Sequence, residues 1–417
     1  MKIEHMRSID YWVGRPVCFI LTFFDILFKK NPKDRKSSYK KILFVKPSEL
    51  GGIILAYPLL KRIRNQYPQS ELFFVTFEKN REIFESLGGI IQKNNIFTIK
   101  EDSFFHFFVS TLETIVKIRK EKFDIVFDLE FFARFTAALT ALSGAPKKIG
   151  FYPFFQKGLY RGDFFTHRVP YNPLQHLSKT YLSMASDIER AQKSGPELNE
   201  KISDEDIVLP KVHSQEKIKK SIADRLCSNG IDATKRIVLL NPGEGVLPLR
   251  EWPLDCFLKV AKDLLSDPQL YFVLIGTERT SLKARQLVEG LGYGRCVNFT
   301  GQTSIPELME LFLLSDLLIS NDCGLSHLAS LTALKKIVIF GPESPKVFGP
   351  LGAGDGIVYA GLPCSPCLSA FNHRNSSCRD NKCLQAIRPE AVIQLARKML
   401  YPAIQEQYSL DVGQGAL

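Results

Sequence analysis

No stretch of this chain is apolar for long enough to cross a bilayer. The most apolar segment, YWVGRPVCFILTFFDILFKK at residues 11–30, is broken by Arg15 and Asp25. Its longest unbroken run is about half of the roughly 20 residues that a spanning helix needs. A small-residue cleavage site after that run is missing too, so the segment is expected to be retained rather than removed as a signal peptide. No internal repeat of solenoid period occurs, which excludes a stacked-repeat architecture. Acidic D-x-D patterns are scarce: the one such run, DED at 204–206, lies in a polar tract where a solvated charge run is the plainer reading than a metal site. With 45% hydrophobic and 24% charged residues, global disorder is excluded as well.

What is present suits two folded domains. A chain of 417 residues exceeds one ordinary core and fits two of about 150–200 residues with tails. Its net charge of +11 favours an anionic partner: nucleic acid, nucleotide, phosphorylated sugar or membrane surface. Near the N-terminus, Trp12, Phe19, Phe23, Phe24 and Phe28 precede Lys29, Lys30, Lys33, Arg35 and Lys36. That order suits a segment lying in the interface of an anionic membrane, and equally a helix packed on the protein's own surface.

Strand and helix signals alternate along the rest. Strands are expected at 42–45, 72–77, 125–129 and 148–151, then at 237–240, 271–276, 296–300, from 318, and at 336–340, with helical spacing between them. A polar tract at 189–217 interrupts the alternation and reads as the connection. The expected fold is α/β: two doubly wound, Rossmann-like domains facing a cleft, at 39–212 and 213–400, with a membrane-associating segment at 1–38 and a tail at 401–417.

Such sheets bind ligands beyond the carboxyl ends of their strands, so the loops there carry the candidates. In NPGEGVLPLREWP at 241–253, Arg250 and backbone amides suit phosphate, or form a plain strand-to-helix turn. Glu278, just past a strand, can accept from a ribose diol or simply start a helix. Ser304 and Glu307 form a capping box, so only the preceding loop, Gly301 to Thr303, is free to meet a ligand. In SNDCGLSHLASL, Asp322 suits sugar hydroxyls, the helix start suits a diphosphate, and His327 is either a donor to that anion or a structural residue. Of nine cysteines, Cys364, Cys367, Cys378 and Cys383 form C-x2-C then C-x4-C; the spacing allows a structural zinc site, with reduced thiols or a stapled loop as alternatives.

Taken together in their order, ILFVKPSELGGIILAYPLLKRIRNQYP, FDIVFDLEFFARFTAALTALSGAPKKIGF, NPGEG with REWP, FTGQTSIPEL, and SNDCGLSHLASL with IFGPESP resemble glycosyltransferase family 9, the lipopolysaccharide heptosyltransferases. The resemblance runs from Lys41 to about Leu400. It implies the GT-B fold and transfer of heptose from an ADP-sugar, with inversion, to a lipid-linked inner-core oligosaccharide at the cytoplasmic face of the inner membrane. A peripheral association, no nucleic acid and no metal requirement for transfer go with it. By resemblance, Arg250 contacts donor phosphate, Glu278 the ribose, Thr303 flanks the adenosine, Asp322 binds the sugar, and Gly324, Leu325, Ser326 and His327 hold the diphosphate. Lys46, Ser48 and Arg134 are the acceptor-side candidates.

One departure bears on activity. The family places an aspartate, its base, right after the loop glycine, and Gly52 stands there. Three possibilities follow: Glu49 serves as base, although a nearby helix N-terminus should draw its pKa down; another acid, Asp128 or Glu130, does; or transfer is impaired and the chain is a nucleotide-sugar or glycan-binding protein.

Overall fold

The computed structural model describes residues 3–27, 39–186, 188, 201–243, 247–292, 294–352 and 354–402. Phe28, the basic residues from Lys29 to Lys36, most of the 189–217 tract's first half, Glu244 to Val246 and the tail beyond 402 lie outside the described residues.

Two compact units make up the chain. The first runs to Pro210 and also takes in Ser369–Arg374; the second comprises Lys211–Leu368 and the chain from Asn375. A contiguous cut at 212/213 misses the six late residues of the first unit.

In the first unit the strands are β1 (Lys41–Val45), β2 (Glu71–Phe77), β3 (Ile96–Ile99), β4 (Ile125–Asp128), β5 (Lys147–Phe151) and β6 (His167–Val169). They form one parallel sheet in the order β3-β2-β1-β4-β5-β6. The second unit repeats that winding with β7 (Arg236–Asn241), β8 (Leu270–Leu274), β9 (Cys296–Asn298), β10 (Leu317–Asn321), β11 (Lys335–Phe340) and β12 (Gly356–Tyr359) in the order β12-β11-β10-β7-β8-β9. Both are doubly wound sheets, as the alternation predicts. Central strands read as unbroken apolar runs because helices cover both faces: Ile42 to Val45 and Val238 to Leu240 are fully buried. Each such side chain contributes about 1.5–3 kcal/mol by leaving water. The three unexpected strands, β3, β6 and β12, are three or four residues long and lie at sheet edges, where one-sided burial leaves little periodic signal.

This order places a topological switch point in each unit, between β1 and β4 and between β7 and β10. At each, the chain departs in opposite directions from adjacent strands, and the loops part to leave a crevice.

The N-terminal segment forms two helices, Ile3–Trp12 and Gly14–Leu27, that pack on the helix Arg134–Leu142. The latter has no cap of its own: Asp10 supplies it, accepting from the backbone amides of Arg134 and Phe135 at 2.9 and 2.8 Å. Cys18 and Leu21 pack on Ala137 and Ala141. Asp25 pairs with Lys148 at 2.7 Å, and Arg15 donates to the Gly158 carbonyl at 3.2 Å. The charges that interrupt the apolar run are therefore tethers to the first unit. Among the described residues the other side is uncovered, with Trp12 74%, Phe19 65%, Phe23 55% and Ile26 66% exposed. The reading as a helical segment packed on the protein's own surface holds for the face that meets Arg134–Leu142. Among the described residues no helix is long and apolar enough to cross a membrane.

Candidate functional site

At the switch point of the second unit, two asparagines end adjacent strands. Asn321 accepts from the Trp252 amide at 2.9 Å and donates to the Pro242 carbonyl at 3.0 Å, which stitches both ends of the 242–252 loop to β10. Asn241 donates to Ser320 Oγ at 3.2 Å and accepts from the Gly243 amide. So anchored, the loop delivers Arg250 to within 3.5 Å of the Asp322 carboxylate, and both are largely buried. A guanidinium and a carboxylate side by side form a mixed surface, one arm for phosphate and one for hydroxyls.

Gly324 and Leu325 are half-buried at the start of the short helix Gly324–Ala329, while Ser326 and His327 are buried. The Ser326 hydroxyl donates to the Cys323 carbonyl at 2.8 Å and so holds the turn rather than facing outward. Glu278 follows β8 and is exposed. Thr303 follows β9, and its loop is drawn against Glu278: the Gly301 amide donates to the Gly276 carbonyl at 2.9 Å. Gly301 has φ +71, and a Cβ there would lie 3.1 Å from the Glu278 backbone, so glycine alone permits that approach. The capping box at Ser304 and Glu307 forms as expected. Asp322, Arg250, Glu278 and Thr303 thus stand after β10, β7, β8 and β9, four neighbouring strands. At about 4.8 Å per strand the edge is roughly 15 Å long, enough for an extended nucleotide diphosphate.

The switch point of the first unit is built around Lys46. It is fully buried, and its ammonium donates to Glu130 at 2.8 Å and to Ser48 Oγ at 3.2 Å. Glu130 also accepts from the Ser48 amide at 2.9 Å and hydroxyl at 2.5 Å. A Cβ on Gly52 would sit 2.6 Å from Lys46 Cε and 3.1 Å from its ammonium nitrogen. The space an aspartate would use is therefore filled by the Lys46 stem, and Glu130 is the counterion that the ammonium has instead. Asp128 is fully buried and paired with Arg161, which also donates to the Glu130 carbonyl at 2.9 Å. Burial pushes the Asp128 carboxyl up to about 6, against the pull of Arg161.

Glu49 differs from both. It has φ 46, a left-handed conformation that costs a non-glycine residue of order 1–3 kcal/mol, and its side chain is 42% exposed. Its carboxylate is ion-paired with Arg374. Arg374 in turn lies 5.7 Å from the Phe131 ring centroid, and nearby Phe371 stacks on Phe132 at 6.0 Å. Sequence reasoning missed Arg374, Phe371 and the counterion role of Glu130; a partner 325 residues away leaves no local signal.

Two expectations are corrected. Arg134 is 1% exposed and holds Asp10 and the Tyr160 and Gly158 carbonyls at 2.9–3.3 Å, so it anchors the N-terminal helices and does not present a cation to an acceptor. Lys46 is likewise fully buried, with two of its three donors taken by Glu130 and Ser48, so it does not present its charge at the surface. Cys364, Cys367, Cys378 and Cys383 form no disulfide, and among the described residues no group of three or more His, Cys, Asp or Glu is placed to hold a metal ion. Cys378 donates to the Asp380 carbonyl, Cys367 accepts from Ser376, and burial raises the Cys383 thiol. Residues 369–374, within this cysteine-rich stretch, belong to the first unit, whereas all four cysteines belong to the second.

The profile of glycosyltransferase family 9 (heptosyltransferase) matches residues 112–376, well over half of the chain. A lipooligosaccharide heptosyltransferase 2 of Haemophilus ducreyi is 23% identical over 334 residues, 75% of this chain and 86% of that one. A protein of the same name from Campylobacter jejuni is 27% identical over 169 residues, 40% of this chain and 51% of that one. The chain thus spans about half the length of the Campylobacter relatives it matches. Among solved structures, E. coli ADP-heptose lps heptosyltransferase II superposes with a TM-score of 0.66 at 17% identity, and a glycosyl transferase family 9 protein of Veillonella parvula with 0.67 at 20%. Each likeness covers 88% of this chain and 99% of the other, and speaks to the fold.

Proposed function

Because the chain belongs to glycosyltransferase family 9, we propose that it transfers heptose from ADP-heptose, with inversion, to a lipopolysaccharide inner-core or similar lipid-linked acceptor, needing no metal ion. The observation that carries this reading is the line of Thr303, Glu278, Arg250 and Asp322 along four neighbouring strand ends of the second unit. Read as a donor site, Thr303 and Glu278 hold the nucleoside, Arg250 and the amides from Gly324 to Ser326 the diphosphate, and Asp322 the sugar hydroxyls, with His327 behind them.

In the transfer step an acceptor hydroxyl oxygen bonds to the anomeric carbon while the bond from that carbon to the β-phosphate oxygen breaks. The electron pair leaves with ADP, whose added charge Arg250 and the amides stabilise, and the hydroxyl proton passes to Glu49. Of the carboxylates at the first unit's switch point, Glu49 alone combines exposure with a place in the loop after β1. Exposed Trp12, Phe19 and Phe23 support a peripheral seat on the cytoplasmic face of the inner membrane, where such an acceptor lies.

A second reading, a nucleotide-sugar or glycan-binding protein without transferase activity, is favoured by one observation: the Lys46 stem fills the space beside Gly52.

Calorimetry with ADP tests the donor site. Arg250→Ala removes a charge-assisted contact and is expected to weaken ADP about tenfold or more. Glu278→Ala should weaken ADP yet leave inorganic diphosphate unchanged. Unaltered ADP affinity in both variants would remove this edge as the donor site.

A further inference from the structure

Helix Phe104–Glu121 carries two apolar faces, and the described residues cover only one. Ile118 is buried in the core beside β2 and β3, and Phe107 and Ile115 pack against it. On another side, Phe104, Phe108, Leu112 and Val116 recur every four residues and are 60%, 54%, 48% and 52% exposed, with Phe105 beside them at 70%. Spacing of four aligns them in one ridge along the helix. A continuous apolar ridge in water marks a contact surface, whereas scattered exposed residues do not.

We propose that this ridge is a second membrane contact, seated in the interface of an anionic bilayer alongside the N-terminal helices. The inference rests on the membrane part of the reading above and extends it to an element far away in sequence. Two observations select the occupant. First, the ridge runs into exposed Lys117, Arg119, Lys120 and Lys122, and the sequence places seven further Lys or Arg against one Asp at 29–41. Aromatic residues beside a basic cluster suit anionic headgroups over an acyl boundary, each cation near the surface being worth about 1 kcal/mol. Of the acids nearby, Glu121 is paired with Lys41 at 2.5 Å, Glu101 with Lys79 at 2.9 Å and Asp102 with His106 at 2.6 Å, Asp124 accepts from the Lys40 and Lys41 amides, and Glu113 stands on the helix itself. The same charge disfavours a second copy of this chain as the occupant. Second, Phe104–Glu121 packs against Arg134–Leu142, the helix on which Ile3–Trp12 and Gly14–Leu27 also pack, so the ridge and the exposed side of the N-terminal helices share one layer of the first unit.

Flotation of the full chain with phosphatidylglycerol-containing vesicles, against pure phosphatidylcholine, tests the proposal. The double variant Phe105→Asp, Phe108→Asp is expected to bind anionic vesicles about tenfold more weakly, with an unchanged melting temperature because both side chains are exposed. Phe108→Ser, a milder change without added charge, should show a smaller loss in the same direction. If the ridge variants float like the wild type while Phe19→Asp, Phe23→Asp does not, the ridge is no membrane contact and the membrane reading of the N-terminal helices stands. A wild type that does not float overturns both. A wild-type dimer that the ridge variants convert to monomer, with flotation unchanged, would assign the ridge to self-association and overturn the proposal.

Discussion

Glu49→Gln is expected to lower the transfer rate by about a hundred- to ten-thousand-fold, the usual range for a general base, while ADP affinity stays at the wild-type value. The argument is one of access among three carboxylates. Asp128 is fully buried against Arg161 and cannot meet an acceptor hydroxyl. Glu130 is only 7% exposed, and its two oxygens already accept from the Lys46 ammonium and from the Ser48 amide and hydroxyl. Glu49 stands in the loop after β1 with an exposed side chain, and its left-handed backbone persists at a cost that a plain connecting turn would not need. Glutamine keeps the length and an oxygen for Arg374 but cannot take a proton at neutral pH. Glu130→Gln serves as the control. Loss of transfer in that variant with Glu49→Gln unaffected would move the base to Glu130, and equal rates in all three proteins would leave neither as base.

Arg161→Met is expected to destabilise the first unit by about 3–5 kcal/mol, because it leaves Asp128 buried without its cation. Both partners are 0% exposed, so solvent does not screen the loss. The pH dependence has a definite sign. Burial already places the Asp128 carboxyl above its ordinary value, at about 6, with Arg161 holding it down. Without Arg161 the folded-state value rises further, so between the unfolded value and the raised one the folded protein binds more protons than the unfolded chain. Stability then falls as pH rises through that window. Melting temperatures of variant and wild type should differ least near pH 5 and most near pH 8. A deficit that shrinks on going to pH 8 would contradict the burial of an ionised Asp128.

The sheets were legible because their central strands are continuous apolar runs bounded by turn residues; β1, β7, β10 and β11 fall within a residue of where the sequence places them at most ends. Short edge strands such as β6, with His167 and Arg168 in its three residues, carry no comparable pattern. In the second unit the placement of the donor-side candidates at one sheet edge was readable, because a residue just after a strand lies at the carboxyl edge whatever its neighbours are. Charge was the misleading signal. Arg134 reads as an acceptor-side cation in the sequence, yet it is buried and paired with Asp10, as Lys148 and Arg161 are with Asp25 and Asp128. A cation's partner is set by tertiary contact, and separations of 33 to 124 residues leave nothing local to read.

The central claim is that the chain is an active transferase despite Gly52. Incubating the wild-type protein with ADP-heptose and an isolated lipopolysaccharide inner-core acceptor, with chelator present, and following heptosylated product and released ADP together tests it most directly. The account predicts product and ADP in equal amounts, with the anomeric configuration inverted relative to the donor. ADP-heptose bound with neither product nor ADP released would contradict it and leave the binding-protein reading.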